Sequence, residues 1–370
     1  MSAFDRATAF LTIDVGAIAA NWRRIRDHVG PSCEAAAVVK ADCYGLGAGR
    51  IAPALAAAGC QTFFVATIDE GIALRKVVAD AAIHVLGGPL PGAVGDLDEH
   101  RLTPVLNSPE QIGLWAGYAA ATGRCLDGVL HLDTGMSRLG LDAAAVEMLA
   151  EDPALLAGIN PVVVMSHMAC ADETDHPKNP DQLARFRALT ERLGLKTRRS
   201  LGASSTIFLG DEYHFDLVRP GAALYGLNPV PGSANPMTRA VGLQARILQV
   251  RDVDTPMTVG YGASHLVTRK GRVAVAALGY ADGVFRSLGN SGFGFIEGER
   301  VPVVGRISMD LTTFDVSTLA PEKARPGALI EILGPHQDAD TVAADAGTIG
   351  YEVLTALGQR YLRSYENEAA

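Results

Sequence analysis

The sequence predicts an α/β protein, an N-terminal (β/α)8 barrel of the TIM type followed by a smaller, mostly antiparallel β domain. Three observations carry this. Short apolar runs alternate with helical patterns for about the first 230 residues. That alternation stops near a Pro/Gly/Asn-rich stretch, LNPVPGSANP. Beyond it, strand patterns follow one another with almost no helical periodicity. Strands separated by helices of about 10–15 residues imply βαβ units and a parallel sheet, whereas strands in succession imply an antiparallel one.

Taken in order, Ala35 to Val39 read as the first barrel strand and GRIAPALAAAGC as a helix. Phe63 to Ala66 return to strand, followed by the helical DEGIALRKVVAD. The strand series continues at Ile83 to Leu86, Thr103 to Leu106, Gly128 to Leu132 and Pro161 to Ser166. PEQIGLWAGYAAATG and PDQLARFRALTERLG are the helices between them. So many unbroken units exceed what a mononucleotide-binding fold needs, and an eight-unit barrel is the economical reading. After residue 235, VGLQARILQVRDV, RVAVAALGY, GFGFIEGERVPVVGRISMDLTTFDV and GALIEIL read as strands. Helical periodicity is expected again only at Tyr351 to Tyr361. The barrel is assigned to residues 16–234 and the β domain to 235–370.

The chain has 370 residues, is 48% hydrophobic and carries a formal charge of −9, which excludes disorder and, with no basic run, argues against a nucleic-acid partner. No apolar stretch approaches the ~18 residues of a membrane span. Asp5 and Asp14 fall where a secretory signal needs a basic patch and an apolar block. The five cysteines are odd in number and form no C-x-x-C pair, as expected of free thiols in a reducing compartment. The expectation is a cytoplasmic enzyme.

One of the six lysines stands out. Lys40 ends the apolar run AAAVV, and the carboxyl ends of barrel strands are where active sites form. Partial desolvation there lowers a lysine's pKa and frees its amine to condense with an aldehyde. A strand-end lysine that snorkels to solvent is the plain alternative. His167, Cys170, Asp172, Asp175 and His176 look like a metal cluster, but H-x2-C followed by D-x2-D-H fits no structural zinc spacing, and no metal is expected.

Val39-Lys40-Ala41-Asp42-Cys43-Tyr44-Gly45-Leu46-Gly47 resembles the pyridoxal phosphate (PLP) signature of the alanine racemase family, V-K-A-[ND]-A-Y-G-H-G. His131 to Gly140 resembles the family's D-T-G-M-x-R-L-G segment, and Ser166-His167-Met168 with Ala171-Asp172 its S-H-x-A-x-A-D segment. Ala203-Ser204-Ser205, Val218-Arg219-Pro220-Gly221 and Leu224-Tyr225-Gly226 continue the likeness. So do Val259-Gly260-Tyr261-Gly262, Gly279 to Gly283 and Gly305 to Asp310, the matches running in order from residue 40 to residue 352.

The resemblance implies a fold type III PLP enzyme that interconverts L- and D-alanine for peptidoglycan, working as a homodimer with shared active sites. Residues 1–15 would hold a strand that joins the β domain. Lys40 would carry the cofactor and act as one base. Tyr261, reaching in from the partner subunit, would act as the other. A free tyrosine titrates near about 10, so cationic neighbours are needed, and a relay through His167 to Arg219 would supply them. Arg219 would face the cofactor's ring nitrogen, where a guanidinium cannot accept a proton and side reactions are suppressed. Tyr44, Ser205 and Tyr351 hydroxyls, with the Gly221 and Ala222 N–H groups, would hold the phosphate, and Leu86 would contact the cofactor. Arg138 and the Met309 N–H would bind the substrate carboxylate. Tyr280 and Arg286 would line the entrance, with Asp310 and His131 supporting it.

At one position the sequence departs from the pattern. Many family members carry a carbamylated lysine where His131 stands, so a bound anion, another acidic group or His131 itself must orient Arg138. Two alternatives stay open: another amino acid or PLP reaction on the same barrel, such as a broad-specificity or serine racemase or a decarboxylase, and a non-catalytic PLP-binding barrel protein. Arg219 argues against decarboxylation, and the β domain carrying Tyr261 and Met309 argues against the non-catalytic protein.

Overall fold

The computed structural model describes residues 2–368 and divides into two units. One comprises Ile18–Cys43 and Gly47–Thr238. Its parallel strands follow in chain order: Ala37–Val38, Thr62–Val65, Ala82–Val85, Thr103–Leu106, Leu126–His131, Ile159–Met165 and Arg198–Ser200. Leu217–Val218 pairs in parallel with Glu34–Ala35. Backbone hydrogen bonds close the ring on either side of that last strand. Asp216 and Arg219 donate to Arg199 and Gly202 carbonyls at 3.0 and 2.7 Å, and Ala36 and Val38 donate to Val218 and Pro220 at 2.9 and 2.8 Å.

Ala36, Val38, Phe64, Val105, Val129, Val163, Met165 and Leu217 fill the interior. The strands are covered on both faces, which is why they read as apolar runs rather than alternating ones. Helix starts follow from single side chains. Thr67 accepts from the Glu70 N–H to cap Ile68–Arg75, and Ser108 caps Pro109–Thr122 through the Gln111 N–H. After Arg198–Ser200 the connection contains only the short turns Thr206–Phe208 and Asp211–Tyr213, and no α-helix.

Among the described residues, the other unit contains 2–17, Tyr44–Leu46 and 239–368. Its main sheet runs Glu299–Pro302, Phe293–Ile296, Leu329–Leu333, Val241–Val253, Ala9–Asp14, Leu362–Glu366. Gly271–Ala276 pairs with both Val241–Val253 and Thr312–Asp315. Ala9–Asp14 is antiparallel to Val241–Val253 and parallel to Leu362–Glu366, burying Ala9, Leu11 and Ile13 on one side. Period-two burial of this kind is what a one-faced sheet demands.

Two sequence expectations for this unit need correcting. A helix spans Ala339–Ala346, capped by Asp338, in a region read as free of helices. The final helix is only Gly350–Thr355; Tyr361 lies beyond it, followed by strand Leu362–Glu366. Backbone pairing with the N-terminal strand outweighs local helical periodicity there.

Candidate active site

At the carboxyl end of the first barrel strand the chain does something costly. Ala41, Asp42, Cys43 and Tyr44 all take positive φ, between 51° and 57°, forming a left-handed turn directly after Lys40. For non-glycine residues this costs about 1–2 kcal/mol each. Specific contacts hold it in place. Glu70 accepts from the Ala41 N–H at 2.8 Å and from the Ala66 N–H at 2.7 Å. Asp42 accepts from the Ala48 N–H at 2.7 Å. The turn fixes where Lys40 emerges. Burial, and then the charge of Arg138, lower the Lys40 pKa, while Glu70 opposes the shift.

Arg219 lies at the end of the last barrel strand and is 4% exposed. It donates from Nη1 to Ser200 Oγ at 2.5 Å and from Nη2 to the Ser166 carbonyl at 2.6 Å. Among the described residues no carboxylate pairs with it. A buried guanidinium without a counter-ion is expensive, and burial pulls its pKa down to about 10. Burial, and next the Arg219 charge, push His131 down to about 4 and His167 to about 3, so both rings are neutral near pH 7.

The tautomer of His131 is fixed by its neighbour. Asn107 donates from Nδ2 to the Leu86 and Val105 carbonyls, both at 3.0 Å, which turns its Oδ1 toward His131. His131 Nδ1 therefore donates to that oxygen at 2.7 Å, and Nε2 keeps its lone pair. Arg138 is exposed, on the turn that Asp133 organises by accepting from the Gly135, Met136 and Ser137 N–H groups. Ser204 is buried and accepts from the Gly221 N–H at 3.0 Å and the Ala223 N–H at 3.2 Å. The Gly221 N–H is thus already engaged within the chain, and the neighbouring hydroxyl of Ser205 and the N–H of Ala222 lie on the same loop.

The barrel unit therefore brings together Lys40, Arg138, His131, His167 and Arg219: the Arg138 charge bears on Lys40 and both histidines, and the Arg219 charge on both histidines. Leu86 packs against the barrel core. The residues read from the other part of the sequence lie in the β unit. Tyr44 and Tyr351 have ring centroids 6.1 Å apart. Tyr280 and Met309 sit on adjoining turns, where Tyr280 and Ala281 donate to the Ser308 and Met309 carbonyls at 3.1 and 3.0 Å. Tyr261 is 69% exposed on its own turn. Arg286 begins the turn Arg286–Leu288, and Asp310 accepts from Arg360.

Several polar residues around these positions escaped the sequence reading. Asn107, Gln111, Ser200 and Glu70 act on backbone or on other side chains, and nothing local in their spacing advertises it. Only Glu70 left a trace, as the third residue of a helix that opens on Thr67. No three His, Cys, Asp or Glu among the described residues converge as metal ligands.

The donor set suits PLP. It offers a desolvated amine for the aldehyde, loop N–H and hydroxyl groups for the phosphate, and an unpaired buried cation for the ring. Comparison with known proteins agrees. The model of the alanine racemase N-terminal domain matches residues 13–229, and that of the alanine racemase C-terminal domain matches 240–365. An alanine racemase of Rhodospirillum rubrum is 53% identical, the alignment covering 98% of this chain and 96% of that protein. The crystal structure of alanine racemase from Bartonella henselae with covalently bound pyridoxal phosphate superposes with a TM-score of 0.94 at 40% identity, covering 97% and 99% of the two chains. Alanine racemase from Streptomyces coelicolor A3(2) superposes at 0.90 and 34% identity, covering 98% of each chain. Along nearly its whole length, this chain belongs to the alanine racemase family.

Proposed function

We propose that the protein is a PLP-dependent isomerase that interconverts L- and D-alanine by moving a proton on and off Cα from two opposite faces. The observation that carries this is a desolvated Lys40 in the same barrel unit as a buried Arg219 that, among the described residues, has no carboxylate partner. Lys40 and the surrounding donors would hold PLP, which would supply the electron sink that makes the substrate Cα–H acidic.

Lys40 serves one face. Its lowered pKa favours the neutral amine, the form in which Nζ takes the proton of D-alanine and returns it in the reverse direction. Tyr261 serves the other face, taking the proton of L-alanine. Arg219 would face the cofactor's ring nitrogen, where a guanidinium only donates hydrogen bonds and gives up no proton, which would restrain electron withdrawal and favour simple reprotonation over bond cleavage. His167 stays neutral and links Tyr261 to Arg219. Arg138, oriented by the lone pair of His131, grips the substrate carboxylate. Ser205, the Ala222 N–H, Tyr44 and Tyr351 would hold the phosphate, the Gly221 N–H being engaged by Ser204, and Leu86 would pack against the cofactor.

Tyr261, Met309, Tyr280 and Arg286 are assigned to the active site of a second copy. Tyr261, Met309 and Tyr280 are 69%, 53% and 44% exposed on the single chain, which is what residues covered by a partner look like. The protein is accordingly read as a homodimer with two shared sites. Its five cysteines are free, in keeping with a cytoplasmic location, and its role is read as D-alanine supply for peptidoglycan.

The test is proton NMR in D2O with L-alanine and PLP, followed by chiral analysis. Loss of the α-proton signal with formation of D-alanine is expected. Pyruvate or amine as product, or no exchange on alanine, would overturn the reading.

A further inference from the structure

We propose that Arg360 is a positioning residue that sets the spacing of Tyr280 and Met309, and through them the grip on the substrate carboxylate. The inference deepens the reading above and rests on it, because it takes these two residues as what the β unit offers to its partner's substrate.

The tie is built from three charge-assisted bonds. Arg360 donates from Nε and Nη2 to the two carboxylate oxygens of Asp282 at 2.7 and 2.8 Å, a bidentate fork. Its Nη1 donates to Asp310 Oδ1 at 2.6 Å. Asp282 lies two residues after Tyr280, and Asp310 directly follows Met309. One guanidinium therefore spans both turns.

The Asp282 end is rigid. Its side chain is 6% exposed, Oδ2 also accepts from the Gly279 N–H at 2.9 Å, and its carbonyl accepts from the Gly358 N–H and the Tyr361 hydroxyl. The two turns also touch through backbone. A Cβ on Gly279 would stand 2.3 Å from the Ser308 carbonyl oxygen and 2.4 Å from that of Met309, so only glycine permits the approach. The Asp310 end is different. Asp310 is 57% exposed and bonded to Arg360, so beside the backbone bonds from Tyr280 and Ala281 the Met309 turn is tied by this one side chain. The bond acts on the position of the Met309 N–H and leaves the bases Lys40 and Tyr261 untouched. It belongs to substrate binding rather than to proton transfer.

Lysine cannot reproduce the fork or reach both acids at once, so Arg360→Lys keeps the charge and loses the geometry. Asp310→Asn weakens only the exposed end and leaves the buried fork intact, which keeps the test open should Arg360→Lys fold poorly. Both variants are assayed as holoenzyme with alanine, together with competitive inhibition by propionate, which presents the substrate's carboxylate without its amine. The expected result is a KM and a propionate inhibition constant that rise together, about tenfold in Arg360→Lys and about threefold in Asp310→Asn, with kcat within about twofold, the scale of one weakened hydrogen bond to a charged group. Unchanged KM and inhibition constants in Asp310→Asn, or a kcat that falls while KM holds, would overturn the proposal. Tyr261→Phe, run alongside, separates the two claims. If that variant turns over normally, the two-base reading fails. If it is dead while Asp310→Asn is indistinguishable from wild type, only the role of Arg360 fails.

Discussion

The two halves of the proposed machinery are built in opposite ways. In the barrel unit the chemistry is buried and locked. Arg219 is spent on Ser200 and Ser166, His131 on Asn107, and the Lys40 turn on Glu70. In the β unit the corresponding side chains stand in the open, with Tyr261 more than two-thirds exposed. A buried unpaired cation needs a surrounding that never relaxes, because every polar atom left unsatisfied costs about 1–3 kcal/mol. An exposed tyrosine needs only a rigid turn and a second molecule to cover it. On the proposed reading, one chain completes the electrostatics of the site but not its second base.

The sharpest way to break the comparison is to remove a base from each half. Lys40→Ala should abolish racemisation and covalent attachment of the cofactor together, read by chiral chromatography and by mass spectrometry after borohydride reduction. Tyr261→Phe should lower kcat by ~10²- to 10⁴-fold, the worth of a general base, while cofactor absorbance and melting temperature stay as in wild type. A Tyr261→Phe protein that melts several degrees lower would mean the residue packs within its own chain, and the contrast would dissolve.

A smaller effect separates the halves by pH. An unfolded histidine titrates near about 6.5, whereas folded His131 and His167 sit at about 4 and about 3, and buried His84 at about 4. Below pH 6.5 the unfolded chain takes up protons that the folded barrel refuses. Stability is therefore full above 6.5 and falls on acidification toward 4, by about 1.4 kcal/mol per pH unit for each such histidine. Chemical denaturation of the cofactor-free protein should show this slope; a flat profile from pH 6.5 to 4.5 would mean the histidines are not held neutral. The smallest effect expected is that of Ser204→Ala, which strips one acceptor from the Gly221 and Ala223 N–H groups. It should cost about 1–2 kcal/mol in unfolding free energy and weaken PLP binding in an equilibrium titration.

Much of this was legible in the sequence where the signal is local and strong. Thr103–Leu106 and Val241–Val253 fall on the residues the apolar pattern marks, and Lys40 ends the run that forms the first barrel strand. The resemblance named the charged residues that cluster in the barrel. What stayed hidden depends on distant partners. Nothing in Ala41-Asp42-Cys43-Tyr44 announces four left-handed residues, since glycine, the usual marker, is absent until Gly45. Leu362–Glu366 is short, with Arg363 and Glu366 charged, and becomes a strand only because Ala9–Asp14 lies beside it. Helix Ala339–Ala346 did leave a signal, the Asp338 cap accepting from Thr341, but its eight residues carry too little apolar pattern to stand out. Asn107 and Arg360 matter by what they hold, and single-sequence spacing says nothing about that.

The central claim, that each active site takes Lys40 from one chain and Tyr261 from another, is tested most directly by mixing two dead proteins. Lys40→Ala and Tyr261→Phe are co-expressed with different tags, and the hybrid dimer is isolated. The hybrid holds one site with both bases intact and one with neither, so it should recover about half the wild-type activity per dimer. A hybrid as inactive as its parents would contradict the account and place both bases in the same chain.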